Sequence, residues 1–156
     1  MSRNGKVNFK DLDRFRSKVE ASLGDDQVDL FIQSCAKELA ARLLAKVIKR
    51  TPVGQYPKSS GKKGGTLRRG WTNGTTQAAH EYANSLTVNH YGGVYVIEII
   101  NPVEYASYVE FGHRTRNHQG WVEGRFMLTI SEQELESQAP NILENKLKKK
   151  LGEVFG

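Results

Sequence analysis

A lone cysteine, Cys35, rules out an internal disulfide, so the fold has to stand without a covalent staple. No apolar run approaches the roughly 20 residues that a membrane-spanning helix needs. The opening stretch "MSRNGKVNFKDLDRF" lacks the apolar segment of a secretory signal. Hydrophobic residues make up only 38%, low for a compact globule, which points to a modest core carrying long polar loops. These shortages exclude a membrane protein and a disulfide scaffold, and they favour synthesis in a reducing cytoplasm. Cys35 itself lies in an apolar helical pattern and reads as a small core residue.

Positive charge, by contrast, is plentiful. Lys and Arg number 23 against 17 Asp and Glu, for a net charge of +6. That balance favours acidic partners, nucleic acid among them, but says nothing about fold. The 156 residues suit one domain, long enough to bury roughly 70% of its unfolded surface without a metal.

Helical periodicity comes first along the chain. Residues 1–8 read as a flexible N-terminus. Phe9, Leu12, Phe15, Val19 and Leu23 recur at steps of three and four, as on an amphipathic helix closed by Gly24. Asp25 or Asp26 then caps a second helix, whose apolar stripe runs from Val28 through Leu30, Phe31, Ile32, Cys35, Leu39, Leu43, Leu44 and Val47 to Ile48. Pro52 stops it by pushing Thr51 out of the helical region. The stretch "TPVGQYPKSSGKKGGTLRRG" has two prolines and five glycines and no apolar period, so residues 54–66 read as a mobile loop.

Strand signals follow. "TLRRGWTNGTT" alternates weakly around Leu67 and Trp71, "NSLTVNHY" around Leu86 and Val88, and "VYVIEII" is β-branched almost throughout. With a turn at Tyr91, Gly92 and Gly93 they compose an antiparallel meander. "VEYASYVEFG" forms a short helix closed by Gly112, residues 113–124 form a second mobile loop, and the remainder is helical, with Pro140 as a kink or a fresh start. The fold class is therefore α+β: long N-terminal helices on a small antiparallel sheet of three to four strands, with long basic loops and a C-terminal helix.

Catalytic constellations do not emerge. A phosphate loop requires four residues between its glycines and then Lys with Ser or Thr; here six residues separate Gly54 from Gly61, and Lys63 takes the Ser or Thr place. His113 and His118 flank Arg114 and Arg116, poor company for a metal. Glu104 and Glu110 lie on nearly opposite sides of a short helix, and only Glu123 joins them locally for a metal-dependent nuclease. Glu110, between Val109 and Phe111, calls for a buried partner, and Arg114, Arg116 or a neighbouring subunit supplies a structural ion pair. The reading calls for no metal and no cofactor.

Two binding readings remain. Lys58, Lys62, Lys63, Arg68 and Arg69 share one glycine-rich region and are candidate DNA-facing residues, and Arg114, Arg116 and Arg125 share a second loop region whose cations suit phosphate contact. Tyr105, Tyr108, Phe111 and Trp121, with Glu110, Arg114, Arg116 and Arg125, bring together the residue types that centre protein interfaces. One small sheet cannot cover all these rings, and a second subunit can.

A helix ending in "KRTPVG", then "TLRRGW", then "IINPVEYASYVEFGHRTR" and a late "GRFML" resembles the small neck or tail-component proteins of long-tailed bacteriophages and prophages, the tail-completion and head–tail joining family. The likeness runs over residues 36–128, and residues 55–64 look like an insertion. What the resemblance implies is a non-enzymatic virion protein, made in the host bacterial cytoplasm. It implies a homo-oligomeric ring, six- or twelve-fold, around a channel that DNA crosses. The implied partners are the head-closure, tail-terminator and tail-tube proteins, with no membrane. The alternative is a basic nucleic-acid-binding module without catalytic activity.

Overall fold

The computed structural model describes residues 3–8, 25–54, 58–61, 64–75, 77–91 and 94–155. The described elements in chain order are β1 (Arg3–Asn8), α1 (Asp25–Arg50), α2 (Thr66–Gly70), α3 (Ala79–Ser85), β2 (Asn89–Tyr91), β3 (Val94–Asn101), α4 (Ala106–Phe111), β4 (Gly112–Arg114), β5 (Trp121–Glu123) and α5 (Met127–Phe155). This is an α+β fold.

α1 is the hub. Val28, Ile32, Cys35, Ala36, Leu39, Ala40, Leu43, Leu44 and Val47 are all buried along it. So wide an apolar band has to be covered from several directions. α3, α5 and the inner face of β3 do the covering. Leu30 departs from the expected stripe and is 69% exposed. At the far end the Thr51 amide donates to Val47 O at 3.0 Å, and Pro52 then ends the ladder.

α5 runs antiparallel to α1. Near its start, Glu134 meets Lys46 at 3.2 Å and Arg50, whose guanidinium also reaches Ser131 Oγ at 3.2 Å. Further along, Asn141, Asn145 and Lys146 lie beside Glu38 and Arg42. The first helix expected from the sequence, over residues 9–23, lies outside the described residues.

The sheet has order β1-β3-β2, antiparallel throughout. Along β3, Tyr95, Ile97, Ile99 and Asn101 are buried while Glu98 and Ile100 are exposed, the period-two alternation of a strand with one covered face. His90 and Tyr95 are cross-strand partners whose rings stack with centroids 4.0 Å apart.

Several expectations need correction. Residues 66–70 are a helix, not a strand, because Leu67, Gly70 and Trp71 bury on one side at helical spacing. Residues 84–85 end α3, which the sequence reading missed, so only residues 89–91 of "NSLTVNHY" pair as a strand. The third strand of the sheet comes instead from residues 3–8, expected to be loose, paired from Arg3↔Asn101 to Asn8↔Val96. Residues 113–124, expected as a loop, contribute to a two-stranded ribbon of β4 and β5. Of the two readings of Pro140 the fresh start falls away, because α5 continues through it; Pro140 is exposed, so water can serve the carbonyl that its missing N–H leaves free. Within residues 54–66 a short 3-10 turn spans Lys58–Ser60.

Candidate assembly surface

The distinctive sequence segments meet in space, and much of their chemistry is spent inside the protomer. Thr51 is fully buried; its hydroxyl donates to Val47 O at 2.7 Å and accepts from Trp71 Nε1 at 2.8 Å. Its carbonyl accepts from Arg68 Nε at 2.7 Å. Arg68 thereby satisfies an end of α1 whose carbonyls lack helical partners. Asn101 donates to Leu67 O at 2.8 Å and accepts from the Val103 amide at 3.2 Å. A Cβ at Gly70 would collide with Asn101 Oδ1, so glycine is required there. "TPV", "TLRRGW" and "NPV" are thus three sides of one buried polar joint.

Glu110 serves the same structural end. It is fully buried, and its carboxylate accepts from the Leu128 amide at 2.9 Å, the Thr129 amide at 2.9 Å and Thr129 Oγ1 at 2.7 Å. These donors are in the first turn of α5, where the helix dipole also favours negative charge. Neither the expected ion pair with Arg114 or Arg116 nor a place on the protomer surface is found. The amides at the start of α5, which have no helical acceptor of their own, supply the compensation instead. Two backbone bonds, Arg125 N–H to Val109 O at 2.7 Å and Phe126 N–H to Glu110 O at 3.0 Å, fasten α4 to the start of α5. Gly112 (φ +87°) completes the joint, since a Cβ there would stand 2.5 Å from Val122 O.

With Glu110 turned inward, the neighbouring rings are turned outward. Tyr108 is 57% exposed, Trp121 56%, Phe111 49% and Tyr105 44%. Val122, Phe126 and Ile130 are exposed beside them. Phe111 and Phe126 meet edge to face at 6.4 Å, and Tyr108 tilts against His113 at 5.6 Å. The sequence reading did not single out Val122, Phe126 or Ile130. Their signal was present in "WVE", apolar on both faces of a short strand, and in Phe126, which stands where a helix usually has a polar cap.

Hollows lie beside these rings among the described residues. Pro52, Val53, Gly54, Leu67, Tyr105 and Val109 contribute to one of about 270 Å³. Tyr108, His113, Arg114, Thr115, Arg116, His118 and Trp121 contribute to an open cleft of about 580 Å³. Arg114, Arg116 and Arg125 are exposed and make no ion pair among the described residues.

The candidate DNA-facing cations fare unevenly. Arg68 is occupied by backbone carbonyls, and Arg69 is exposed with Nη1 3.4 Å from Gly64 O. The side chains of Lys58, Lys62 and Lys63 lie outside the described residues. Cys35 is fully buried, and burial pushes its thiol up to about 12. Among the described residues no three His, Cys, Asp or Glu side chains converge as a metal site would require, and no helix is long and apolar enough to cross a membrane.

Residues 13–112 match the protein family described as "Bacteriophage HK97-gp10, putative tail-component". The matched segment contains the buried joint and α4 and ends at Gly112, the first residue of β4; the rest of the ribbon and α5 follow it. No curated protein and no solved structure matches the chain.

Proposed function

As a member of the HK97-gp10-like family of bacteriophage tail components, the chain is a structural phage protein, and we propose that it works as a ring-forming joint of the neck or tail. The observation that carries this reading is the apolar surface across α4, the ribbon and the first turn of α5, with Tyr105, Tyr108, Phe111 and Trp121 at its centre. Soluble monomers rarely expose contiguous apolar patches beyond a few hundred Å². Trp, Tyr and Arg are the side chains that most often anchor interfaces. A copy of this chain is the proposed occupant. Contacts between two different patches close into a ring when each subunit is rotated by the right amount, and a six- or twelve-fold ring around the DNA path suits a tail joint. Arg125 stands at the rim of that patch. The head-closure, tail-terminator and tail-tube proteins are the proposed neighbours above and below, in the virion rather than at a membrane. The reading is non-enzymatic: Glu110, the buried carboxylate near the rings among the described residues, is consumed as a helix cap.

Light scattering on a concentration series tests it. Wild type is expected to assemble, and Tyr108→Ala and Phe111→Ala to weaken assembly by about 2 kcal/mol each, some 30-fold, while remaining folded. In Trp71→Phe, Trp121 is the sole remaining indole, and its emission is expected to shift to the blue as rings form. Wild type that stays monomeric throughout, or alanine variants that unfold, would overturn the proposal.

A further inference from the structure

The β4–β5 ribbon carries two kinds of surface. Its base, at Trp121 and Val122, is apolar. Its tip, "RTRNHQG" over residues 114–120, has no apolar side chain and no carboxylate. We propose that this tip is a phosphate-contact site for duplex DNA, an assignment that goes beyond the ring reading and does not require it.

The tip is folded in advance. The Thr115 amide donates to Gly120 O at 3.0 Å, and the Gly120 amide returns a bond to Thr115 Oγ1 at 3.0 Å. Thr115 Oγ1 donates to Asn117 Oδ1 at 2.7 Å, which also accepts from the Gln119 amide at 3.1 Å. The His118 amide donates to Thr115 O at 2.9 Å, and His118 adopts a left-handed φ of +59°. Holding a non-glycine residue there costs free energy, which the turn's bonds offset. Arg114 and Arg116 emerge from this frame with no ion pair among the described residues, although Glu123 lies on the same face of the ribbon as Arg114, toward the base. The cleft beside them adds Tyr108, His113, His118 and Trp121, without an acid.

Unspent guanidiniums amid neutral hydrogen-bonding side chains are what phosphate oxygens bind. The rings that would anchor a protein partner, Tyr108 and Trp121, line the cleft beside the arginines, while residues 114–120 themselves carry none. The rival cationic segment is weaker on the described residues, because Arg68 is already committed to the carbonyls of Lys49 and Thr51. A two-stranded ribbon also fits the major groove of B-form DNA.

Fluorescence anisotropy with a short labelled duplex across a salt series tests this. The full chain is compared with Arg114→Gln/Arg116→Gln and, as a control, Lys148→Gln/Lys149→Gln on α5. Each neutralised phosphate contributes about 0.9 to the slope of log affinity against log salt, so the arginine pair is expected to lower it by about 2 per engaged ribbon. The lysine pair is expected to leave most of the slope intact. A slope unchanged in the arginine variant, or carried by the lysines, overturns the assignment. So does tip binding to poly-glutamate but not duplex, which would make the site a dock for an acidic protein. Light scattering on the same samples separates the two proposals: a monomer that binds duplex through the ribbon keeps this one and sinks the ring, and a ring indifferent to duplex does the reverse.

Discussion

Replacing Glu110 by Gln separates a carboxylate that holds the fold from one that faces a partner or a substrate. The side chain keeps its shape, but one acceptor oxygen becomes an NH₂. Its remaining oxygen is best kept toward Thr129, whose amide and hydroxyl both donate there. The Leu128 amide, now 2.9 Å from a carboxylate oxygen, would then face another donor while buried. An unsatisfied buried donor costs about 1–3 kcal/mol. Losing the negative charge at the start of α5 adds about 0.3–1 kcal/mol, and up to about 2 in a buried setting. The sum is a loss of about 1–5 kcal/mol, or roughly 3–20 °C in melting temperature for a chain of this size. Urea titration in the Tyr108→Ala background, where assembly is already weakened, reads the fold alone. The midpoint is expected to fall with the slope unchanged. A variant as stable as its parent in that background would refute the capping argument. Plasmid incubated with magnesium is expected to stay intact with wild type and variant alike; cleavage by wild type that the variant loses would make Glu110 catalytic.

Three further outcomes follow from the geometry. Trp71→Phe removes the donor to Thr51 Oγ1 and leaves unfilled volume beside α1, and it is expected to cost about 1–3 kcal/mol in urea titration without altering assembly per folded protomer. The guanidinium of Arg50 and the ammonium of Lys46 hold Glu134 below its usual carboxylate range, so its contribution is present above that range and is lost as pH falls through the lowered value; in acid titration Glu134→Gln should flatten this part of the stability curve. Cys35, buried with a thiol raised to about 12, is expected to resist alkylation at neutral pH in the native protein and to react once the chain unfolds, as mass spectrometry reads directly.

The amphipathic pattern from Val28 to Ile48 was enough to place α1, and the β-branched run "VYVIEII" was enough to place β3, because each repeats a single local period over many residues. The outward rings of α4 were legible too, since a helix of six residues cannot turn Tyr108, Phe111 and Ala106 to the same side. Glu110 was not legible. Its partners, Leu128 and Thr129, are 18 and 19 residues further on, and nothing local marks a glutamate as the cap of a helix that begins at Met127. Arg68 looked like a free cation for the same reason, until the end of α1 was brought beside it. Local periodicity belongs to the chain and survives without its neighbours. Which charges remain available to a partner depends on which buried backbone groups had to be satisfied first, and only the packed structure decides that.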